Sequence, residues 1–316
     1  MSFFSRICLV VAMFLPCVAW AQGLPAYRVQ DGLEGQIRIV GSDSMDPLLR
    51  LWTQEFQKLQ PKVKFTITSH GSATAPPALV KGEADLGTMS REMNPTELEA
   101  CKTKWGHEPQ RVCAAFDALA IFVNRRNPLP VIRLDQLDGL YSETRLSGYA
   151  WPIRTWRAFG IQRSWGRSPI RAYTRDEKSG SRALFTEKVI RKGGKMRTEI
   201  LEADQMGILE AVGSNVRALG YGPLSYAGPQ VRMVPLSSGK SQPAILPTPS
   251  TIRSGTYPLA RQLSFYLDPT RFQEPGSPLR PFLEFVISRN GQELVTRDGD
   301  VSLDAGLAQE ESRRLR

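Results

Sequence analysis

The chain opens, after its first 35 residues, with an alternating segment that leads through small polar residues into a helical pattern. Apolar and polar side chains alternate from Gln36 to Val40, which predicts a strand that ends at Gly41. Asp46 and Pro47 are typical of a helix N-cap and first helical turn. The apolar stripe of the helix that follows comprises Leu48, Trp52, Phe56 and Leu59.

The same order of elements then recurs. Residues 63–67 alternate as a second strand, residues 69–74 form a small polar turn, and residues 78–83 follow as a short helix. Residues 84–87 predict a brief third strand that leads to Ser90. This succession predicts an α/β fold with a parallel or mixed sheet, in which ligands bind beyond the carboxyl ends of the strands.

The rest of the pattern is more varied. Ala118 to Asn124 is almost free of polar residues, which predicts a buried central strand or a crossover between two lobes. The tail, residues 309–316, is charged and predicted to be frayed. Further helices are predicted at 95–104, 134–140, 183–190, 199–212 and 281–291. A strand is predicted at 257–267, a tight strand or turn at 219–222, and loops at 105–113 and 235–249.

The first 21 residues have the pattern of a secretory signal peptide. Arg6 precedes a short apolar run, and Ala19-Trp20-Ala21 fits a cleavage site near Ala21. The alternative is a lipoprotein anchor on Cys17, but the residues before it lack the small side chains typical of that signal. We therefore expect an exported protein, localised to the periplasm.

Composition changes this picture in two ways. The formal net charge is +10, which favours an anionic partner. Export and the scattered distribution of the arginines argue against nucleic acid. Once Cys8 and Cys17 leave with the signal, Cys101 and Cys113 are the remaining pair, most simply a disulfide. The only histidines are His70 and His107, so no metal site is expected.

Three turns carry candidate chemistry. Each places small hydroxyl residues before a helix: Ser42 and Ser44, Ser72 and Thr74, and Ser179-Gly180-Ser181. Helix N-termini and hydroxyls bind anions through directional hydrogen bonds, and a guanidinium adds a bidentate fork. The three turns, joined by Ser90-Arg91 and Arg175, predict a buried oxyanion site that needs no metal and no cofactor.

Over nearly its whole length beyond the signal, the chain resembles the phosphate-binding periplasmic proteins of ABC transporters. The order and spacing of the matching segments are more specific than any one of them. These segments are Val40 to Met45, Gly71 to Thr74, Ala84 to Glu92, Ala118 to Asn124 with Asn127-Pro128, Arg175 with Ser179 to Ser181, Leu219 to Tyr221, Tyr257 to Leu259, and Phe285 to Leu294.

The resemblance implies two α/β lobes joined by hinge strands, with one phosphate in the cleft and a membrane permease as partner of a monomer. It implies an N-terminal extension at 22–35, one lobe at 36–115 plus 226–316, and the other at 116–225. Met45 and Gly180 would offer backbone N–H groups. The side chains assigned to the ligand in this way are Ser44, Ser72, Ser90, Arg91, Arg175, Ser179 and Ser181.

The sequence departs from the family pattern at two points. Ser90-Arg91 stands where some members carry an aspartate that accepts the proton of hydrogen phosphate, so phosphate and sulfate are not distinguished. Ala73 and Ala75 stand where glycines are frequent. Rival functions are an oxyanion sensor or surface protein of the same fold and, less favoured, a phosphate-ester hydrolase. Gly239-Lys240-Ser241 resembles the end of a P-loop but lacks its first glycine.

Overall fold

The computed structural model describes residues 23–315, and most of its strands lie in one sheet. Eight of its nine strands follow the order β2-β1-β3-β12-β4-β8-β6-β7, and the ninth, β9, pairs with β4; β11-β10-β5 form a separate small sheet. The strands are β1 (Gly35–Gly41), β2 (Val63–Ser69), β3 (Leu86–Met89), β4 (Gln110–Asn124), β5 (Ile132–Arg133), β6 (Arg171–Thr174), β7 (Leu201–Glu202), β8 (Ala218–Pro223), β9 (Val231–Met233), β10 (Leu236–Ser237), β11 (Ala244–Ile245) and β12 (Ala260–Leu267).

Helices cover the sheet, which confirms the α/β class. α6 continues into a π-helical turn at Thr186–Ile190. The α-helices are α1 (Asp46–Leu59), α2 (Ala75–Lys81), α3 (Pro95–Trp105), α4 (Leu134–Tyr141), α5 (Arg163–Gly166), α6 (Gly180–Phe185), α7 (Gln205–Ser214), α8 (Pro249–Arg253), α9 (Leu279–Ile287), α10 (Arg289–Asp298) and α11 (Ala305–Arg314).

The first three strands place the predicted turns at one edge of the sheet. β1 lies between β2 and β3 and is parallel to both. Gly41 pairs with Ser69 on one side and with Thr88 on the other, so all three strands end at the same level. The polar residues that follow each strand therefore meet above the carboxyl ends of the sheet.

β4 joins the two halves of the molecule. Its first part, from Gln110 to Ala118, pairs with β12, and its second part, from Leu119 to Val123, pairs with β8. The predicted crossover is thus confirmed, although β4 begins eight residues earlier than the apolar run, at Gln110.

The apolar side chains form two large cores, one in each lobe. The first contains Trp52, Phe56 and Phe282, and the second contains Trp156 and Phe185. Residues between 229 and 259, among them Val234, Leu236, Ile252 and Leu259, pack in the second core, although the sequence prediction assigned them to the first lobe. We therefore propose that the second lobe extends from about residue 118 to the start of β12.

The N-terminal segment packs against the first core. Tyr27 lies 5.6 Å from the rings of both Phe56 and Phe285, and its backbone N–H donates to Asn290 Oδ1. The predicted signal peptide and its cleavage site lie outside the described residues. Within residues 23–315, no helix combines the length and apolar character needed to span a membrane.

Three predicted elements are wrong in detail. The tail is not frayed, because Asp304 caps α11, and Ala308 and Glu311 of that helix and Leu315 after it are buried. The helix predicted from Glu199 begins only at Gln205, after Asp204 caps it. The last long helix is two helices, since Ser288 ends α9 and caps α10.

The predicted disulfide is also wrong. Cys101 and Cys113 are both buried free thiols. Cys101 lies in a small cluster with Ala75, Leu79 and Met89, whereas Cys113 packs in the first core. Burial in apolar surroundings raises the pKa of Cys101 to about 11 and that of Cys113 to about 12, so both remain protonated at neutral pH.

Candidate functional site

Five buried serines meet where the first lobe faces α6. We call Ser42, Ser44, Ser72, Ser90 and Ser181 the serine cluster. Ser42 Oγ donates to Ser90 Oγ at 3.1 Å, and the Oγ atoms of Ser72 and Ser90 lie 3.2 Å apart. The backbone N–H of Ser90 donates to Ser72 Oγ at 3.1 Å. The hydroxyls of Ser42, Ser72 and Ser90, which follow β1, β2 and β3, therefore form one connected group.

The start of α6 closes the serine cluster from the second lobe. Ser44 Oγ and Ser181 Oγ are 3.1 Å apart, although 137 positions separate them in the chain. A Cβ atom at Gly180 would lie 2.3 Å from both Ser72 Oγ and Ser90 Oγ. Only glycine permits this approach, which explains the glycine in the predicted Ser-Gly-Ser turn.

Ser179 acts locally as the N-cap of α6. Its Oγ accepts hydrogen bonds from the backbone N–H groups of Ser181, at 3.2 Å, and Arg182, at 3.5 Å. Its φ and ψ of −67° and 126° are those of an N-cap residue. Packing at the other end of α6 also holds the helix in place, because the Phe185 ring stacks on Tyr221 with centroids 4.1 Å apart.

Arg175 is the buried cation of the site. Its Nη2 pairs with Asp43 in the first lobe and lies 3.6 Å from Asp176 Oδ2, and its Nη1 donates to Gln205 Oε1 at 3.4 Å. Arg175 Nε is buried and has no hydrogen-bond partner within residues 23–315. The guanidinium therefore links the lobes and retains one donor that an added acceptor could satisfy.

A second guanidinium, from Arg261 on β12, borders the serine cluster. Its Nη1 donates to Ser181 Oγ at 3.0 Å and to the backbone oxygen of Ser90 at 3.4 Å. Nε and Nη2 both donate to Asp117 Oδ2, at 2.8 and 2.6 Å. The ion pair is buried on both sides, so the carboxylate holds the guanidinium in one orientation.

Two of the predicted site residues are placed differently. Arg91 lies beside the cluster but its Nη1 and Nη2 bind Glu97 at 2.7 and 2.6 Å, away from the serines. The backbone N–H of Met45 already donates to the oxygen of Ser42 at 3.3 Å, and its side chain packs in the first core. Neither is joined to the serine cluster by a side-chain hydrogen bond.

Sequence reasoning missed three side chains of this site: Asp43, Asp117 and Arg261. Asp43 stands between Ser42 and Ser44 in a turn that the sequence pattern indicates, so only its role was missed. Asp117 and Arg261 are opposite charges within mostly apolar strands. They are register partners in the β4–β12 ladder. Charged residues in apolar strands were the available signal, but their pairing depends on which strands are neighbours.

Acidic groups surround the Arg261–Asp117 pair. Burial, together with the charge of Asp117, raises the pKa of Asp298 to about 6. Burial and the charges of Asp117 and Asp298 raise the pKa of Asp300 well above its ordinary range, and Arg261 opposes that shift. Arg261 is the charged group of this set that contacts the serine cluster, through Ser181 Oγ.

Two cavities reach the site. One of about 550 Å³ is lined by Asp43, His70, Gln205 and Tyr226, and another of about 750 Å³ is lined by Phe116, Leu184 and Arg261. Within residues 23–315, no group of three or more His, Cys, Asp or Glu side chains could hold a metal ion. The site therefore offers hydroxyl donors and guanidinium charge, which suits a small oxyanion.

Comparisons with known proteins match most of the chain. The PBP superfamily domain matches residues 29–290. The phosphate-binding protein PstS of Pseudomonas aeruginosa PAO1 is 34% identical over 296 residues, covering 92% of this chain and 90% of the relative.

Solved structures share the fold. A protein from Clostridium perfringens, assigned as a phosphate ABC transporter substrate-binding protein and solved with bound phosphate, has a TM-score of 0.72 at 24% identity. It matches over 85% of this chain and 100% of its own. A phosphate transport receptor from Vibrio cholerae has a TM-score of 0.66 at 22% identity, over 84% and 100% of the two chains.

Proposed function

This chain belongs to the PBP superfamily, and from that premise we propose that it is an exported solute-binding protein that captures inorganic phosphate between its lobes. A membrane permease of an ABC transporter would then receive the phosphate. The proposal is supported by relatives named for phosphate binding and by the chemistry of the serine cluster. We propose binding without turnover, by a monomer in the periplasm.

One observation carries the choice of ligand. Arg175 is buried between the lobes, and its Nε has no acceptor within residues 23–315 although a buried donor without a partner is costly. A phosphate oxygen next to Nε would satisfy this donor, while Nη2 keeps its pairing with Asp43. The hydroxyls of Ser44, Ser72, Ser90 and Ser181, together with the backbone N–H of Gly180, would donate to the other oxygens.

Binding in this position requires both lobes. Ser72 and Ser90 belong to the first lobe, whereas Arg175, Gly180 and Ser181 belong to the second. A ligand held by both sets favours the closed arrangement over the open one by its differential contacts. The closed arrangement would be the form that a permease recognises.

Isothermal titration of the purified mature protein with phosphate, sulfate and molybdate tests the ligand. We expect saturable binding of phosphate at a stoichiometry of one. An absence of binding to all three oxyanions would refute the proposal. Release of alcohol from a phosphomonoester would instead indicate the hydrolase, and the same preparation can be assayed for it. Binding without stimulation of transport in reconstituted vesicles would favour the sensor.

A further inference from the structure

Arg261 connects both walls of the site through a single nitrogen. Its Nη1 donates to Ser181 Oγ of the second lobe at 3.0 Å and to the backbone oxygen of Ser90 of the first lobe at 3.4 Å. The contact with Ser181 exists only when α6 lies against the end of β3, whereas β3 and β12, which carry Ser90 and Arg261, are paired strands of one sheet. The guanidinium is therefore placed to stabilise the closed arrangement.

Asp117 fixes the direction of this guanidinium. It accepts from Nε and Nη2, and the two residues are register partners on β4 and β12, the strands at the junction of the lobes. Because Asp117 engages Nε and Nη2, Nη1 is the nitrogen that faces the serine cluster.

The contact sets the hydrogen-bonding direction of Ser181. A guanidinium can only donate, so Ser181 Oγ accepts from Arg261 and keeps its own proton for another partner. In the structure the neighbouring oxygen is Ser44 Oγ, 3.1 Å away. A bound oxyanion offers acceptors, and donation into Ser181 Oγ by a cation polarises its O–H and strengthens the bond it gives.

We propose that Arg261 is a positioning residue, which turns the Ser181 hydroxyl into a donor toward the bound anion and holds the two lobes together around it. This inference rests on the proposed phosphate binding. Arg261 acts through Ser181, so its effect on affinity should disappear when the hydroxyl is absent.

A double-mutant cycle tests this dependence. Arg261→Lys retains the positive charge beside Asp117. Its single nitrogen cannot bind Asp117 and Ser181 together as the three guanidinium nitrogens do. We expect Arg261→Lys and Ser181→Ala each to weaken phosphate binding by about tenfold in isothermal titration. The double variant should bind no more weakly than Ser181→Ala alone. Additive losses, or an unchanged affinity of Arg261→Lys, would overturn the proposal.

Two further measurements keep the outcomes distinct. Arg38→Lys is the matched control, because Arg38 binds Asp85 through Nε and Nη2 in the same lobe but away from the serine cluster; its phosphate affinity should equal that of the wild type. The same variants are also compared by thermal unfolding without phosphate. Because Arg261 contacts Ser181 directly, the changes in melting temperature of the two single variants should not add up in the double variant. If the wild type itself binds no phosphate, the proposed function fails; if it binds and the cycle is additive, only the role of Arg261 fails. Arg261→Gln combined with Asp117→Asn serves as a neutral replacement if Arg261→Lys does not fold.

Discussion

Ser44 and Ser181 bring their hydroxyl oxygens to 3.1 Å from each other across the cleft, one from the turn after β1 and the other from α6. Gly180 makes this contact possible, because its missing side chain lets α6 approach Ser72 and Ser90. This contact joins two lobes that have separate cores. Single substitutions can test whether binding depends on it.

Replacing Arg175 should abolish most of the affinity. Arg175→Ala removes the buried cation and its charge-assisted hydrogen bonds, and we expect phosphate binding to weaken by about 10- to 100-fold. Titration calorimetry measures the loss. Arg280→Ala, which breaks a surface pair with Glu284, serves as the control. Unchanged affinity of Arg175→Ala would exclude Arg175 from the site.

Adding one methyl group at Gly180 should prevent closure. The Cβ of Gly180→Ala would clash with Ser72 Oγ and Ser90 Oγ, so we expect phosphate affinity to fall by at least about tenfold. The melting temperature should change little, because neither lobe core is altered. Gly228→Ala is the matched control, since its Cβ would meet open space. A variant that binds as the wild type does would contradict the close approach.

Asp43 should influence the choice between oxyanions. Its carboxylate pairs with Arg175 and can only accept hydrogen bonds, whereas hydrogen phosphate can donate one and sulfate cannot. Asp43→Asn is expected to reduce the preference for phosphate over sulfate by about tenfold in competition titrations. Asp46→Asn, which lines the same cavity, is the control. Equal selectivity in both variants would assign Asp43 a structural role only.

Stability should depend on the protonation of Asp298. Burial and the charge of Asp117 raise its pKa from 3.8 to about 6, so the folded state binds the proton more tightly than the unfolded state. This contribution is complete below pH 4 and is lost as the pH rises through about 6. Asp298→Asn should therefore melt about 2–4 °C above the wild type at pH 8, with little difference at pH 4.

Scanning fluorimetry across this pH range checks the difference between the two melting curves. Glu293→Gln, an exposed change on the same helix, should follow the wild type at every pH. A constant difference between Asp298→Asn and the wild type would show that Asp298 titrates normally.

The cysteines should behave as buried thiols. Because no disulfide joins Cys101 to Cys113, a reductant should leave the melting temperature unchanged, whereas loss of a native disulfide costs about 2–5 kcal/mol. Mass spectrometry after alkylation in denaturant should show two labels on the signal-free chain. Labelling of the native protein should be slow, since the pKa of Cys101 is raised to about 11. An unlabelled chain with a mass lower by two hydrogens would show instead that Cys101 and Cys113 form a disulfide.

Local sequence was sufficient for the turns that form the first wall. Ser44, Ser72 and Ser90 follow strands whose period is visible in the alternation of side chains. Parallel strands end at one edge of the sheet, so the convergence of these residues could be predicted. The N-cap role of Ser179 and the need for glycine at position 180 depend on neighbours in the chain and on close approach, and the pattern indicated both.

The sequence alone therefore determined the α/β class and the three hydroxyl turns, because periodicity and capping are local properties. Only the tertiary structure decided which charges act together. Asp43 reaches Arg175 across 132 positions, and Asp117 meets Arg261 across 144, because β-strand order and lobe contact bring them into range. The same long-range packing buries α11 and separates Cys101 from Cys113, which composition could not foresee.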